Sequence, residues 1–402
     1  MAVISPAWFS WPETQALIKA FQDNRALRFV GGCVRDALLG REVKDVDAAT
    51  ILLPQQVMEM LAKAGIKVIP TGIDHGTVTA VIAKRHFEIT TLRRDVSTDG
   101  RHATVAFTDD WQQDAARRDF TMNALYCDAE GNVTDYFEGA ADALAGRIRF
   151  IGDAGARIEE DAMRILRFFR FFAHYGKAPV EKNALNACAA LALHIEKLSG
   201  ERIQQEMMKL LIAERAAEAV DMMQQKAIWP FIIPHTVRTH ALQRLPAMIQ
   251  KGEHHPDAIL SLAALLRSIQ SDSASLIDAI AARWKLSRAH QKHLQELGVH
   301  VNGPGNEWNE KTVKKHIRKL GRELFIEHMI LRAAEGADET EVLAAIRLAR
   351  NWAVPAFPLT GDDILATRVK AGKEIGVTLK TLEEYWEEEN YLPGKEELLR
   401  RI

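Results

Sequence analysis

The sequence predicts an α+β protein, with a small mixed α/β segment first and an all-helical remainder. Two observations carry this expectation. Runs rich in Val, Ile, Thr and Phe are confined to the first third of the 402-residue chain. From Asp153 onward the apolar residues recur mostly at i, i+3 and i+4, as in Ile203, Met207, Leu210 and Leu211. A hydrophobic content of 47% can bury a substantial core, and the length suggests about two to four structural units.

Taken in order, Leu27 to Val30, Val46 to Thr50, Lys67 to Pro70, Gly76 to Ala83 and Phe87 to Leu92 read as short strands, so a five-stranded type of sheet is expected. Helices are expected near Cys33 to Leu39 and Gln55 to Ala64. The α/β segment should end near residue 150. Beyond it, Gly200, the WPFIIP run at 229–234, VNGPGN at 301–306 and the stretch from Pro355 to Gly361 divide the helical part into bundles without a fixed repeat.

Composition narrows the class. No run reaches the ~18 apolar residues of a membrane-spanning helix, and the N-terminal stretch lacks signal-peptide features, so a cytoplasmic protein without membrane partners is expected. Cys33, Cys127 and Cys188 form no CxxC spacing, which reads as reduced structural thiols. The formal charge of -2 leaves room for a local basic face.

Chemistry gathers in FVGGCVRDALLGREVKDVDAAT, residues 29–50. Residues i and i+2 of a strand share a face, so Asp45 and Asp47 can present both carboxylates to one site while Val46 packs behind. Two hard oxygen donors suit Mg²⁺, which fills its shell with water and substrate phosphate. Gly31 and Gly32 follow a strand and precede a helix, where backbone N–H groups can approach a phosphate; a plain tight turn needs glycine equally. Arg35, one helical turn on, could clamp a triphosphate oxygen. Glu88 faces away from Phe87 and Ile89 and is a candidate third carboxylate, the alternative being an exposed edge residue. In RRDFTMNAL, which reads as leading into a helix, Arg118 is a candidate triphosphate or ribose contact and Asn123 a brace for the fold.

GGCVRD, KDVDAAT, HGTVTAVI, FEITTLRRD, RRDFTMNAL and EEDAMRILRFFRF, in this order and spacing, resemble the class II tRNA nucleotidyltransferases, the CCA-adding enzymes of the polymerase beta superfamily. The likeness covers about residues 27–175, continues more weakly through LSGERIQQEMMKLL, and reappears in FPLTGDDILA and KEIGVTLKTLEEYW. It implies a catalytic head (1–150), a nucleotide-selecting neck (151–215), a body (216–300) and a tRNA-binding tail (301–402). By position it makes Asp45 and Asp47 the Mg²⁺ ligands of a two-metal reaction, and Gly32, Arg35 and Arg118 nucleotide contacts. The reaction implied is attack of a tRNA 3′-hydroxyl on the α-phosphate of CTP or ATP.

Asp161, Arg164, Arg167 and Arg170 recur at steps of three, as a slanting polar ridge on one expected helix. The segment matches the resembled family's base-reading motif. Cytosine and adenine each expose an amino donor beside a ring-nitrogen acceptor, so Asp161 can accept from the one while Arg164 donates to the other. Uracil and guanine present N–H where an acceptor is needed. Arg167 and Arg170 are expected to hold the nucleotide or support that pair. The long polar stretch from Asp95 to Ala116, around Asp99, Gly100 and Arg101, reads as a loop; in the resembled family a flexible loop here assists the change from C to A addition.

Three alternatives stay beside this reading: an A-adding-only tRNA nucleotidyltransferase, a poly(A) polymerase, and an inactive RNA-binding helical protein. TGIDHGTVTAVI stands where poly(A) polymerases typically carry a basic GRRF-type run, and the intact acidic pair disfavours an inactive head. In KTVKKHIRKLGR, Lys314, Lys315, Arg318, Lys319 and Arg322 can form a basic helical face for tRNA phosphates, or an ordinary solvated face. His254 and His255 read as surface residues. Oligomeric state is not legible.

Overall fold

The computed structural model describes residues 2–21, 26–98, 103–177, 179–269, 273–299, 308–367 and 372–402. The chain divides into two compact units, residues 1–236 and 237–402.

Unit 1 opens with α1 (Pro12–Ala20), β1 (Leu27–Val30), α2 (Gly32–Leu38), β2 (Ala48–Thr50), α3 (Pro54–Lys63), β3 (Lys67–Gly72), β4 (Thr77–Ile82) and β5 (Arg85–Thr91). It continues through β6 (Arg93–Thr98), β7 (Ala103–Phe107), α4 (Trp111–Ala116), β8 (Leu125–Cys127), β9 (Val133–Asp135) and α5 (Gly139–Ala145). The sheet has seven strands in the order β3-β4-β5-β2-β1-β8-β9, against the five expected. The two added strands are only three residues long, too short to show an alternating pattern. The helix expected within RRDFTMNAL is only a 3-10 turn at Thr121–Asn123, and the segment's last residue, Leu125, already opens β8.

β6 and β7 pair as a separate antiparallel ribbon leading into α4, so the stretch read as a loop from Asp95 to Ala116 carries regular structure. Asp99, Gly100 and Arg101 lie outside the described residues. One face of the sheet buries Phe29, Phe87 and Ile89 against Trp8, Leu17 and Leu61. Cys33, Cys127 and Cys188 are free and buried.

The helical part of unit 1 comprises α6 (Ala154–Glu160), α7 (Met163–Tyr175), α8 (Lys182–Ala190), α9 (Gly200–Leu211) and α10 (Ala216–Gln225). α7 buries Ile165, Leu166, Phe168, Phe169 and Phe172, leaving its arginines on the other face. The ring of Phe150 stacks on Phe168 at 6.0 Å, and Phe120 meets Phe171 at 5.1 Å, so aromatic contacts join this helix to the chain on either side of β8 and β9.

Unit 2 is helical throughout its described residues: α11 (His240–Lys251), α12 (Ala258–Leu266), α13 (Ser273–Trp284), α14 (Arg288–Gly298), α15 (Glu310–Leu320), α16 (Arg322–Glu335), α17 (Glu339–Asn351), α18 (Gly361–Leu365), α19 (Lys373–Glu388) and α20 (Lys395–Leu399). The VNGPGN break lies outside the described residues. No helix is long and apolar enough to cross a membrane among the described residues.

His254 is half-buried, contrary to the surface position expected for it, because its Nε2 lies 3.5 Å from Glu327 Oε1. His293 Nε2 lies 2.8 Å from the other oxygen of the same buried carboxylate. Burial opposes ionisation of Glu327, but the hydrogen bonds from His254 and His293 outweigh it and hold its pKa at about 2. The Glu327 bond in turn raises the pKa of His293. The depressed carboxylate stabilises the fold above its unfolded pKa of about 4.3, and the raised imidazole stabilises it below about 6.5 and loses that contribution as pH rises through its folded value. Melting curves should therefore show Glu327→Gln most destabilised between about pH 5 and 6.5, with the deficit shrinking at higher pH. A deficit independent of pH would contradict this linkage.

Candidate active site

β1 enters α2 through Gly31, whose φ of +75° and ψ of -121° favour glycine. The turn is tied down on both sides: Gly31 N donates to Leu125 O at 3.0 Å and Val30 N donates to Asp47 O at 2.9 Å. Asp45 and Asp47 precede β2 instead of lying within it, since strand pairing begins at Ala48. Their alternation nevertheless persists: both aspartates are exposed while Val46 is 3% exposed. β2 runs parallel to β5 with Ala48 opposite Ile89, which brings exposed Glu88 beside Asp47.

Solvent withdrawal by the surrounding walls, then repulsion from Glu88 and Asp45, push the Asp47 pKa up to about 6 against the opposing pull of Arg118. Crowded hard-oxygen donors of this kind fit a divalent cation. Among the described residues no three or more His, Cys, Asp or Glu side chains are grouped so as to hold a metal ion, so Glu88 does not complete a three-carboxylate set with Asp45 and Asp47; an ion held by two carboxylates takes its other ligands from water and phosphate.

Opposite the carboxylates stand Arg117 and Arg118. Arg118 donates from Nε to Tyr126 Oη at 3.2 Å and from Nη2 to Asp114 Oδ2 at 3.1 Å. A Cβ added to Gly31 would lie 3.6 Å from Arg118 Nη1, so that nitrogen sits against the glycine turn. Arg35 is 6% exposed, and its guanidinium is engaged by Asp36, by Asn123 Oδ1 at 2.5 Å and by Tyr175 Oη at 2.7 Å. It borders the cavity yet also braces α2 against the end of α7.

The base-reading ridge is differently built from the expectation. Asp161 terminates α6 in an extended conformation and α7 starts at Met163, so Asp161 does not share a helix with Arg164. Its own side chain favours the break by accepting from Met163 N at 3.0 Å. Asp161 Oδ2 accepts from Arg202 at 2.6 Å, whereas Arg164 donates to Arg157 O at 2.7 Å and pairs with Glu160. Arg167 binds Asp119 Oδ2 through Nε at 2.7 Å. Arg170 reaches buried Glu206 at 2.5 Å, and Glu206 also faces Arg167 at 3.7 Å.

A closed circuit results. Asp119 accepts from Asn123 Nδ2 at 3.0 Å, Asn123 accepts from Arg35, Arg35 donates to Tyr175, and Arg167 returns to Asp119 along the same helix.

Gly32, Arg35, Asp47, Glu88, Arg118, Asp161, Arg164 and Arg167 line one cavity of about 680 Å³, a volume in the range of small-molecule sites. Asp45 and Arg170 are outside its lining. Sequence reasoning missed Asp114, buried at 1% exposure, and Arg157, which donates to Ala116 O at 2.6 Å and Arg118 O at 2.9 Å. Neither had a local signal, because each acts across a contact distant in sequence or hidden within a polar stretch.

Residues 27–149 match the family model described as Poly A polymerase head domain, and residues 179–238 match that of a probable RNA and SrmB-binding site of polymerase A. The mitochondrial CCA tRNA nucleotidyltransferase 1 of Mus musculus is 34% identical over 95% of this chain and 87% of its own length. The chain belongs to the CCA-adding tRNA nucleotidyltransferase family. A CCA-adding enzyme of Lactococcus lactis is 31% identical over 89% of this chain and 87% of its own. The fold is likewise that of the Bacillus stearothermophilus CCA-adding enzyme in complex with CTP, with a TM-score of 0.75, 24% identity and 94% of each chain covered.

In this family member the basic face expected at 311–322 is interrupted. Gly321, at φ +84°, separates α15 from α16, so Arg322 starts a new helix. Lys314 pairs with Glu310 at 2.6 Å, and Arg318 pairs with Glu383 and donates to Pro355 O at 3.0 Å. Lys315, Lys319 and Arg322 remain exposed.

Proposed function

We propose that this chain adds the 3′-terminal CCA to tRNA from CTP and ATP, releasing pyrophosphate and using no nucleic-acid template. The observation that carries the reading is the meeting, in one cavity, of the Asp47 and Glu88 carboxylates with Asp161 and Arg164. One end suits phosphate chemistry, and the other presents an acceptor and a donor to a pairing edge. Asp45 and Asp47 would hold Mg²⁺, which when bound would stabilise the attacking and leaving oxygens. The tRNA 3′-oxygen joins the α-phosphorus as the α–β bridging bond breaks. Arg118 holds the triphosphate, Arg167 and Asp119 fix the neck helix against the head, and Arg170 supports Arg167 through Glu206. Within this reading the head spans 1–150, the neck 151–215, the body 216–300 and the tail 301–402.

Purified protein given tRNA that ends at the discriminator base should add C with CTP alone and complete CCA with both nucleotides. Addition of A only to tRNA already ending in CC would identify an A-adding enzyme, and long A tails would identify a poly(A) polymerase.

The tail is the proposed phosphate-binding surface. Combined Lys315→Glu and Lys319→Glu should weaken tRNA binding and flatten its salt dependence by roughly one to two counterions. Unchanged slope in a salt titration would move the tRNA contact elsewhere. Lys314 and Arg318 are poorer probes, since reversing them breaks closer ion pairs than the 3.9 Å approach of Lys315 to Glu387.

A further inference from the structure

The Asp114 carboxylate lies at 1% exposure on α4, between the β6–β7 ribbon and the arginine pair. Its Oδ1 accepts from Arg117 Nε at 3.0 Å and from Arg93 N at 3.3 Å. Its Oδ2 accepts from Tyr126 Oη at 2.7 Å and from Arg118 Nη2 at 3.1 Å. Four donors thus occupy the roughly four acceptor positions of one carboxylate, and two are guanidiniums lining the cavity. One negative charge against two positive ones leaves the cavity side cationic, as a polyphosphate needs. Tyr126 is itself held edge-on by Trp111 of the same helix at 5.4 Å, so the anchor is rigid.

We infer that Asp114 is a positioning residue that aims Arg118 at the triphosphate, with Nη1 turned toward the Gly31 turn, Nη2 bonded to Asp114 and Nε to Tyr126. The inference rests on the reading of this cavity as the nucleotide site. It assigns Asp114 to the phosphates and not to the base, so its loss acts on CTP and ATP alike. Arg157 holds the carbonyl of Arg118 from the neck side, which leaves the guanidinium as the element that Asp114 controls.

The test uses the full-length chain and three probes: CTP, ATP and inorganic tripolyphosphate as an inhibitor competitive with nucleotide. Asp114→Asn should raise the KM for CTP and for ATP by a common factor of about ten or more, and weaken tripolyphosphate inhibition by the same factor. Discrimination against UTP should stay unchanged. In an Arg118→Ala background, Asp114→Asn should add much less than it does alone, because only its hold on Arg117 and Arg93 N is then left to lose. Additive losses in the double variant, an effect on one nucleotide only, or a fall in kcat at constant KM would each overturn the inference. Should Asp114→Asn fail to melt cooperatively, Asp114→Glu keeps the charge while displacing it, and the same KM pattern is required of it. A wild-type protein that adds neither C nor A would instead refute the proposed function itself.

Discussion

Asp47→Ala lowers nucleotide addition by about a thousandfold or more while tRNA affinity stays within about twofold of wild type. On the proposed reading Asp47 is a metal ligand, whose loss removes several kcal/mol of transition-state stabilisation, and each 1.36 kcal/mol is a factor of ten in rate. Asp45→Ala should behave likewise, since the two carboxylates flank buried Val46 at the mouth of β2. Relief of the crowding around Asp47 gives these variants no reason to unfold, so cooperative melting should be kept. Single-turnover addition of C to tRNA, alongside filter binding of the same tRNA, separates the two effects. A rate above about a tenth of wild type in both variants would remove the acidic pair from catalysis.

Arg164→Ala narrows the advantage of CTP and ATP over UTP by about tenfold to a hundredfold, because a good bidentate base contact is worth roughly 1 to 3 kcal/mol of discrimination. Arg164 is bonded to Glu160 and to Arg157 O while Asp161 is bonded to Arg202, so the two proposed readers are held by separate partners. Truncating Arg164 therefore removes the proposed donor to the ring nitrogen without breaking the Asp161–Arg202 bond. Competition assays with pairs of nucleotides provide the measurement. A common drop with every nucleotide would make Arg164 a general substrate holder and would sink the templating reading.

How much of this was legible in the chain itself varies with the range of the interaction. Strands β1 to β5 and helices α2 and α3 stood within two or three residues of their observed positions, because each carries its own periodicity. β8 and β9 did not: β2 is as short, but it closes the longer Val46–Thr50 run, whereas β8 and β9 are defined by their neighbours in the sheet. The cavity-lining residues named in advance came from local motifs. Asp114 and Arg157 escaped because their meaning lies in partners: a buried carboxylate gathering four donors, and a guanidinium binding two carbonyls some forty residues earlier. In the tail, charge counting found the basic residues, but only the fold shows that Arg318 is claimed by Glu383.

The circuit that runs from Arg167 through Asp119, Asn123 and Arg35 to Tyr175 has a topological consequence. A hoop cut once is still a connected rod, whereas a hoop cut twice lets a piece fall free. Single substitutions around it should be absorbed, and pairs that isolate a member should cost more than their sum. For the packing of this frame, as distinct from nucleotide binding by Arg35 and Arg167, the first change consumes a reserve that all five share.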